Sequence, residues 1–104
     1  MIVGQIVMQP GEQQPITADF AAELATGETI LSATATSKNY ATLVDSTATF
    51  LTGAVGLSGS KVSILKKENG GAHGETHIVT FKVTTNLTPP GKPEHEVEIL
   101  VAES

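Results

Sequence analysis

Three histidines are the side chains of this sequence best suited to metal binding or proton transfer: His73, His77 and His95. The first two are four residues apart, a spacing that places two imidazoles on one face of an α-helix. Glycines surround that pair and the residues after it alternate like a strand, so a helix is not expected there. The chain has no cysteine, and its nearby carboxylates follow no recognised ligand spacing. We therefore expect structural or solvated histidines, no metal and no cofactor.

Patterns for nucleophilic or phosphate chemistry are incomplete. No serine lies in a nucleophile elbow, and none is tied by a local pattern to a histidine and an acid. The glycine-rich stretch 53–61 lacks the Gly-Lys-Ser/Thr ending of a phosphate loop. Glu94, Glu96 and Glu98 alternate along a predicted strand, which is typical of a solvated face. The sequence predicts a protein that is not an enzyme.

His77 also has a structural interpretation as a corner residue. It begins a predicted long strand, two residues before the inward-facing Val79. In immunoglobulin domains the tyrosine of the tyrosine corner stands two residues before the second strand-bridging cysteine. We expect the imidazole of His77 to make a comparable hydrogen bond back to the chain.

Composition predicts one small domain, residues 1–104, with an aliphatic core. The chain has 104 residues, no Trp, one Tyr and three Phe, so Ile, Val, Leu and Ala must supply most of the burial. Its six basic residues are all lysines and face eleven acids, for a net charge of −5. Arginine is the preferred side chain for phosphates and for guanine edges. Nucleic acid is therefore not expected as a partner.

The N-terminal segment is apolar but carries no lysine or arginine, and Gly4 and Gln5 interrupt it. It lacks the basic region and the apolar length of a signal peptide. No segment approaches the roughly 20 apolar residues of a membrane span. We expect a chain with no signal peptide and no membrane partner.

Apolar residues at alternate positions predict the strands. The inward sets are Ile6 and Met8; Ile16, Ala18 and Phe20; Leu31, Ala33 and Ala35; Val62 and Ile64; His77, Val79, Phe81 and Val83; and Val97, Ile99 and Val101. Ile30 breaks the third set, as a β-bulge would. Seven to eight strands at this spacing predict an all-β, immunoglobulin-like β-sandwich with mostly antiparallel strands.

The middle of the chain, residues 37–60, carries a weaker pattern, and its strand register stays open. Leu43-Val44 and Phe50-Leu51 are predicted as short strands, and the small residues 54–59 as a flexible stretch.

Two segments are candidate contact surfaces. The first is a loop stiffened by proline, and a stiff turn without a partner is its equal alternative; it comprises Pro89, Pro90, Gly91, Lys92 and Pro93. The second is the apolar N-terminal strand, with Ile2, Val3, Ile6 and Val7. Those residues either pair with a neighbouring subunit or, as the slightly favoured alternative, pair within their own sheet.

A series of short motifs resembles a known family. They are Gln9-Pro10-Gly11-Glu12, Asp19-Phe20, Gly27-Glu28-Thr29-Ile30, Gly70-Gly71, the 79–85 run and Glu96-Val97-Glu98-Ile99. This pattern is similar to small tailed-bacteriophage and prophage virion structural proteins, of the tail-fibre or adaptor-like kind, with an immunoglobulin-like fold.

The resemblance implies a non-catalytic adaptor or decoration component that acts through protein–protein contacts. It further implies assembly in the host bacterial cytoplasm, a place in the virion, and other virion proteins or a homo-oligomer as partners. The alternative is a free-standing bacterial binding module, adhesin-like or carbohydrate-contacting.

Overall fold

Seven strands make up most of the chain in the computed structural model, which describes residues 2–9, 11, 13–68, 70–86 and 92–102, with side chains from Ile6 onward. They are β1 (Ile2–Met8), β2 (Pro15–Asp19), β3 (Ile30–Asn39), β4 (Leu51–Ser58), β5 (Lys61–Lys66), β6 (Thr76–Thr85) and β7 (Glu94–Val101). A 3-10 turn (Ala21–Glu23) follows β2, and one helical turn, α1 (Thr47–Phe50), precedes β4. The predicted all-β class is confirmed.

The strands form two sheets that pack face to face. One has the order β1-β7-β6-β3 and the other β2-β5-β4. The β1–β7 pair is parallel, and the other pairs are antiparallel. Strands two, four and five thus share one sheet, and strands three, six and seven share the other. Immunoglobulin domains divide B, D and E from C, F and G in the same way.

The core lies between the sheets and follows the predicted alternation. Its buried members come from both sheets and include all three phenylalanines; they are Met8, Ile16, Ala18, Phe20, Phe50, Leu51, Val62, Ile64, Val79, Phe81, Val83, Val97, Ile99 and Val101. Because side chains alternate across a strand, each run of alternate apolar residues contributes one face to this layer.

A β-bulge at the start of β3 corrects one part of the predicted core. The pairing with β6 skips a residue between Ile30 and Ser32, and Leu31 is 62% exposed. Ile30 instead packs against the core, together with Ala33 and Ala35. The inward position predicted for Leu31 is wrong because the inserted residue shifts the alternation by one.

The connection between β3 and β4 also differs from the prediction. Leu43 and Val44 lie in a turn and are exposed, so the strand predicted there is wrong. Asn39 and Thr42 accept hydrogen bonds from nearby backbone N–H groups, which favours a turn over a strand.

The second predicted strand of this region and the flexible stretch after it are also corrected. Phe50 ends α1, and Leu51 begins β4, which continues through Ser58. Residues 54–59 are therefore mostly strand. A register break between Thr52 and Gly56 obscures the alternation in the sequence.

Gly71 supports a close approach between the loop after β5 and the core. Its φ is +79°, and an added Cβ would lie 3.0 Å from Val101 Cγ2 and 3.3 Å from Phe50 Cε1. Gly27 has a similar φ of +82°, but nothing lies within 4 Å of its Cβ position.

We expect Gly71→Ala to lower the free energy of unfolding by about 2–4 kcal/mol, and Gly27→Ala by about 1 kcal/mol. Both variants place a Cβ on a residue with positive φ, which strains the backbone. Only Gly71→Ala also brings its Cβ too close to Val101 and Phe50. Urea unfolding of the two variants measures the difference. Equal losses would contradict the packing described here.

Candidate functional site

The interior contains a histidine stacked on a phenylalanine near the end of the sandwich where β6 begins. His77 points inward from β6 and is 4% exposed. Its ring lies 4.1 Å from that of Phe50, with 10° between the planes. The buried Lys66 places Nζ 5.9 Å from the centroid of the Phe50 ring. The stack joins β6 to the residue that precedes β4, so it links the two sheets.

A chain of hydrogen bonds continues from the same imidazole. Ser37 Oγ and Ser46 Oγ are 2.9 Å apart, and Ser46 Oγ lies 2.8 Å from His77 Nδ1. On the other side, His77 Nε2 lies 3.3 Å from Glu75 Oε1, which accepts the Ala72 N–H at 2.7 Å. The hydrogen bonds of the His77 ring thus run to the side chains of Ser46 and Glu75. The sequence predicts instead a hydrogen bond back to the chain, like that of the tyrosine corner.

This arrangement contains a serine, a histidine and an acid in contact, which no sequence pattern indicated. Ser46 is buried, and its hydroxyl is shared with Ser37. Its backbone N–H bonds Ser37 O at 2.9 Å, and the next N–H, of Thr47, bonds Asp45 Oδ1 at 2.8 Å. Both N–H groups are therefore engaged, whereas an oxyanion hole needs donors aimed at the reacting atom. The geometry suits a structural anchor.

A second stack lies about four residues further along the same sheet. His95, on β7, is 4% exposed, and its ring lies 4.1 Å from Phe20 at 21°. Its Nε2 is 2.8 Å from Glu23 Oε1. This contact does not meet hydrogen-bond geometry, so the two atoms are close without a well-formed hydrogen bond. Each stack thus combines a phenylalanine, a histidine and a glutamate.

The three histidines are dispersed. His73 is exposed in the loop after β5, whereas His77 pairs with Ile99 and His95 with Phe81 in the register of β6 and β7. Within the described part of the chain, no group of three His, Cys, Asp or Glu side chains could hold a metal ion. Neither of the short helical segments among these residues has the length and hydrophobicity of a membrane-spanning helix.

The residues between β3 and α1 present an unusual surface. Tyr40, Leu43 and Val44 are 58%, 66% and 65% exposed. We call residues 40–45 the apolar ridge. One groove of about 410 Å³ includes Leu43 in its wall, and a second of about 470 Å³ includes Val44 and the edge of His77.

The predicted proline loop is described only at its end. Pro89, Pro90 and Gly91 lie outside the described residues. Lys92 is exposed, and the carbonyl of the half-buried Pro93 accepts the Val83 N–H at 3.1 Å. A contact role for this loop stays a prediction.

The predicted N-terminal edge is β1, and it pairs with β7 of its own sheet, the alternative slightly favoured above. The backbone of Ile2 and Val3 belongs to this strand. Ile6 packs against the core, and Val7 is 63% exposed. A role of this strand in assembly stays a prediction.

Two features of the site escaped the sequence reasoning. The sequence does indicate the inward position of His95. Side chains alternate along β7, so His95 lies on the same face as Val97, Ile99 and Val101. The sequence gives little indication that Leu43 and Val44 are exposed, because an apolar pair between polar residues is typical of a short strand.

Glu75 makes this series of hydrogen bonds, from Ser37 through His77, sensitive to acid. Hydrogen bonds from the Ala72 N–H, and then from His77, hold the pKa of Glu75 below its usual value of 4.5. A depressed carboxyl pKa contributes stability above the unfolded value, and that contribution is lost as the pH falls through the folded value. With the Glu75 side chain 39% exposed, solvent screens part of the effect.

We expect Glu75→Gln to lose less stability than the wild type as the pH falls from about 5 to 3. Urea unfolding across this range measures it. Other carboxyls with lowered pKa values remain in both proteins and cancel in the comparison; they are Asp19, Glu28 and Asp45. Parallel pH curves for the two proteins would refute the role of Glu75.

We expect His77→Phe, which preserves the ring stack, and Ser46→Ala each to lower the free energy of unfolding by about 1–3 kcal/mol. Because the two side chains bond each other, the double variant should lose less than the sum of the single losses, by about 0.5–3 kcal/mol. Denaturant unfolding of the four proteins completes the cycle. Strict additivity would show that the contact contributes nothing.

Comparison with known proteins supplies the biological context. No curated protein matches the chain. A family model described as Gp77, podophage GP4 fiber-tail adaptor protein gp77, matches residues 8–101. This match confirms the predicted resemblance to phage tail-associated proteins. The chain belongs to the gp77 family of podophage GP4 fiber-tail adaptor proteins, and is thus a tail-associated structural component of a phage virion.

Proposed function

We propose that this protein is a non-catalytic adaptor that joins other virion proteins, and that the open edge of β1 is one of its contact surfaces. The family supports the adaptor role, and its model begins at Met8, near the end of β1. The choice of β1 therefore rests on the structure. The observation that carries it is the lack of charge and proline along this edge strand, together with its uninterrupted pairing from Gly4 to Met8.

β1 lies at the edge of the four-stranded sheet, beyond β7. Its sequence, IVGQIVM, contains no charged residue and no proline. Its register with β7 shifts once, between Ile2 and Gly4. An edge strand has a row of unpaired backbone groups, and proteins normally protect it with charge, proline, a bulge or short length. Among the described residues, no strand pairs with the outer edge of β1.

The other edge strands carry such protection. β2 has five residues, begins at Pro15 and ends at Asp19. β3 has the bulge after Ile30 and the charge of Lys38. β4 has no charge and no proline either, but its register breaks in the middle of the strand, between Thr52 and Gly56. The shift in β1 lies at its start, and Gly4 to Met8 pair with β7 without interruption. β1 is therefore the edge best suited to receive a strand from another protein by β-augmentation.

The apolar side chain of Val7 adds to this edge, because it is 63% exposed. Backbone hydrogen bonds supply affinity in β-augmentation, and side chains at alternate positions supply specificity. A homo-oligomer through the same edge is the alternative partner arrangement, and size-exclusion chromatography with light scattering distinguishes the two.

The non-catalytic part of the proposal is supported by the environment of Ser46. Its hydroxyl is buried between Ser37 and His77, and the neighbouring backbone N–H groups are engaged. A nucleophile requires access to its substrate and donors for the developing charge. The contacts of Ser46 favour anchoring of the chain.

We further infer that residues 1–104 form a single immunoglobulin-like domain. The division of strands two, four and five from three, six and seven supports this. The position of β1 beside β7 is the difference from the constant-type arrangement, in which the first strand joins the second.

The adhesin-like or carbohydrate-contacting alternative gains no support from the aromatic residues. The three phenylalanines are fully buried, and Tyr40 is the exposed aromatic side chain. Sugar-binding surfaces usually stack several rings against their ligand.

We expect Val7→Lys to block strand addition, because it places a charge on an edge strand that has none. Val7 is exposed, so the free energy of unfolding should change by less than about 0.5 kcal/mol. Mass spectrometry of purified phage particles should show loss of the tail protein that normally binds there. Deletion of the strand is a poorer test, since it would remove Met8 from the core.

Leu31→Lys is the matched control, because Leu31 is 62% exposed on the edge strand at the other side of the same sheet. Particles with this variant should keep a complete tail. If wild-type particles lack the chain, the adaptor proposal fails. If Val7→Lys particles are complete and infectious, the adaptor role stands and the β1 edge is not its contact.

A further inference from the structure

The apolar ridge combines strong exposure with a rigid backbone. Asn39 holds both sides of the turn: its Oδ1 accepts the N–H groups of Ala41 at 2.9 Å and Thr42 at 3.2 Å. Its carbonyl accepts the Leu43 N–H at 2.7 Å, and its own N–H donates to the Val44 carbonyl at 2.9 Å. A loop fixed in this way loses little conformational entropy when it binds a partner.

The contacts at both ends of the ridge add to this rigidity. The Tyr40 N–H donates to the Thr76 carbonyl at 2.8 Å, which ties the ridge to β6. Asp45 forms an isolated bridge with Lys38 of β3. The ridge is thus attached to the four-stranded sheet at its start and at its end.

Leu43 adopts a conformation that leucine normally avoids. Its φ is +60°, and it is the one non-glycine residue with positive φ in the described part of the chain. Left-handed backbone costs a residue with a Cβ free energy, and such positions concentrate at functional sites. Here the strained backbone presents a leucine to solvent with 66% of its surface exposed, an arrangement with no evident benefit to folding.

The surroundings of the ridge are acidic. The two grooves beside it are lined by four carboxylates and two lysines; these are Asp45, Glu75, Glu94 and Glu96, with Lys38 and Lys82. The carboxylates of Asp45 and Glu75 are ionised at neutral pH, and hydrogen bonds lower their pKa values further. The apolar ridge therefore lies within a surface of net negative charge.

We propose that the apolar ridge, residues 40–45, docks into an apolar hollow rimmed by lysine and arginine on a different protein of the virion. Lys82 pairs with Glu94 at 3.8 Å, so the unbalanced charge beside the ridge comes mainly from the other carboxylates. Charge selects this occupant, since a basic rim complements that excess of carboxylates. A second copy of the chain would bring like charges together, in addition to the net charge of −5 on each copy. The inference rests on the proposed function for the presence of the chain in the particle.

The ridge and β1 lie at opposite edges of the four-stranded sheet. β1 is at one edge, and β3, which leads into the ridge, is at the other. Three strand spacings separate them, or about 14 Å. An adaptor must contact two neighbours, and this placement allows both to bind without overlap.

Photocross-linking within assembled phage particles tests the proposal. Benzoylphenylalanine is incorporated in place of Leu43 in one protein and of Leu31 in a matched control, since the two leucines are similarly exposed. Irradiated particles are then analysed by mass spectrometry. We expect a cross-link from position 43 to another virion protein, at apolar residues with lysine or arginine nearby, and none to that protein from position 31.

Three results would overturn the inference: a cross-link from position 43 to a second copy of this chain, no cross-link in particles that contain the chain, or the same cross-link from both positions. Absence of the chain from wild-type particles would instead refute the proposed function itself. The two failures are therefore distinguishable.

A substitution separates binding from folding. Asparagine tolerates the left-handed region, so Leu43→Asn should leave the melting temperature unchanged or higher. With benzoylphenylalanine in place of Tyr40, this variant should lower the yield of the cross-link about tenfold. Leu31→Asn, the control, should leave the yield unchanged. A full yield from Leu43→Asn would contradict a docking role for the ridge.

Discussion

Two phenylalanine–histidine stacks, about four residues apart along the sheet, join the two sheets across a mostly aliphatic core. Phe20 meets His95 and Phe50 meets His77, each at 4.1 Å between ring centroids. Antibody domains bridge their sheets with a disulfide, and this chain has no cysteine. Ring stacking with an adjacent glutamate serves the same purpose here, by placing a large flat contact where an Ile or Val would leave space.

The position of the apolar ridge depends on one of these stacks. His77 holds Ser46 through a 2.8 Å hydrogen bond, and Ser46 follows the apolar ridge directly. Asn39, on the other side of the ridge, continues β3 in register with His77. The ridge is therefore supported from the core, which explains how a short loop can present exposed apolar side chains in a fixed geometry. A flexible loop with the same sequence would bury them against the nearest apolar surface.

An adaptor must remain soluble before it meets its partners, and the charge distribution suits that need. The net charge of −5 opposes self-association, while the exposed apolar side chains are confined to a few places, among them Val7 and the ridge. The β1 edge offers backbone hydrogen bonds, and the ridge offers apolar contact within an acidic surface. Two surfaces of different chemistry suit the contacts with two different partners that the proposed adaptor role involves.

The alternation of β6 and β7 could be predicted from the sequence alone, because one buried face imposes a period of two on each strand. The all-β class followed from it, as did the inward face of His77. The tertiary structure decided the rest. Ser46 and His77 are 31 residues apart, so no local pattern reveals their contact. The exposure of Leu31 depends on a bulge, and that of Leu43 on hydrogen bonds that favour a turn. Local hydrophobicity indicates which residues can be buried, whereas the pairing of distant strands determines which ones are.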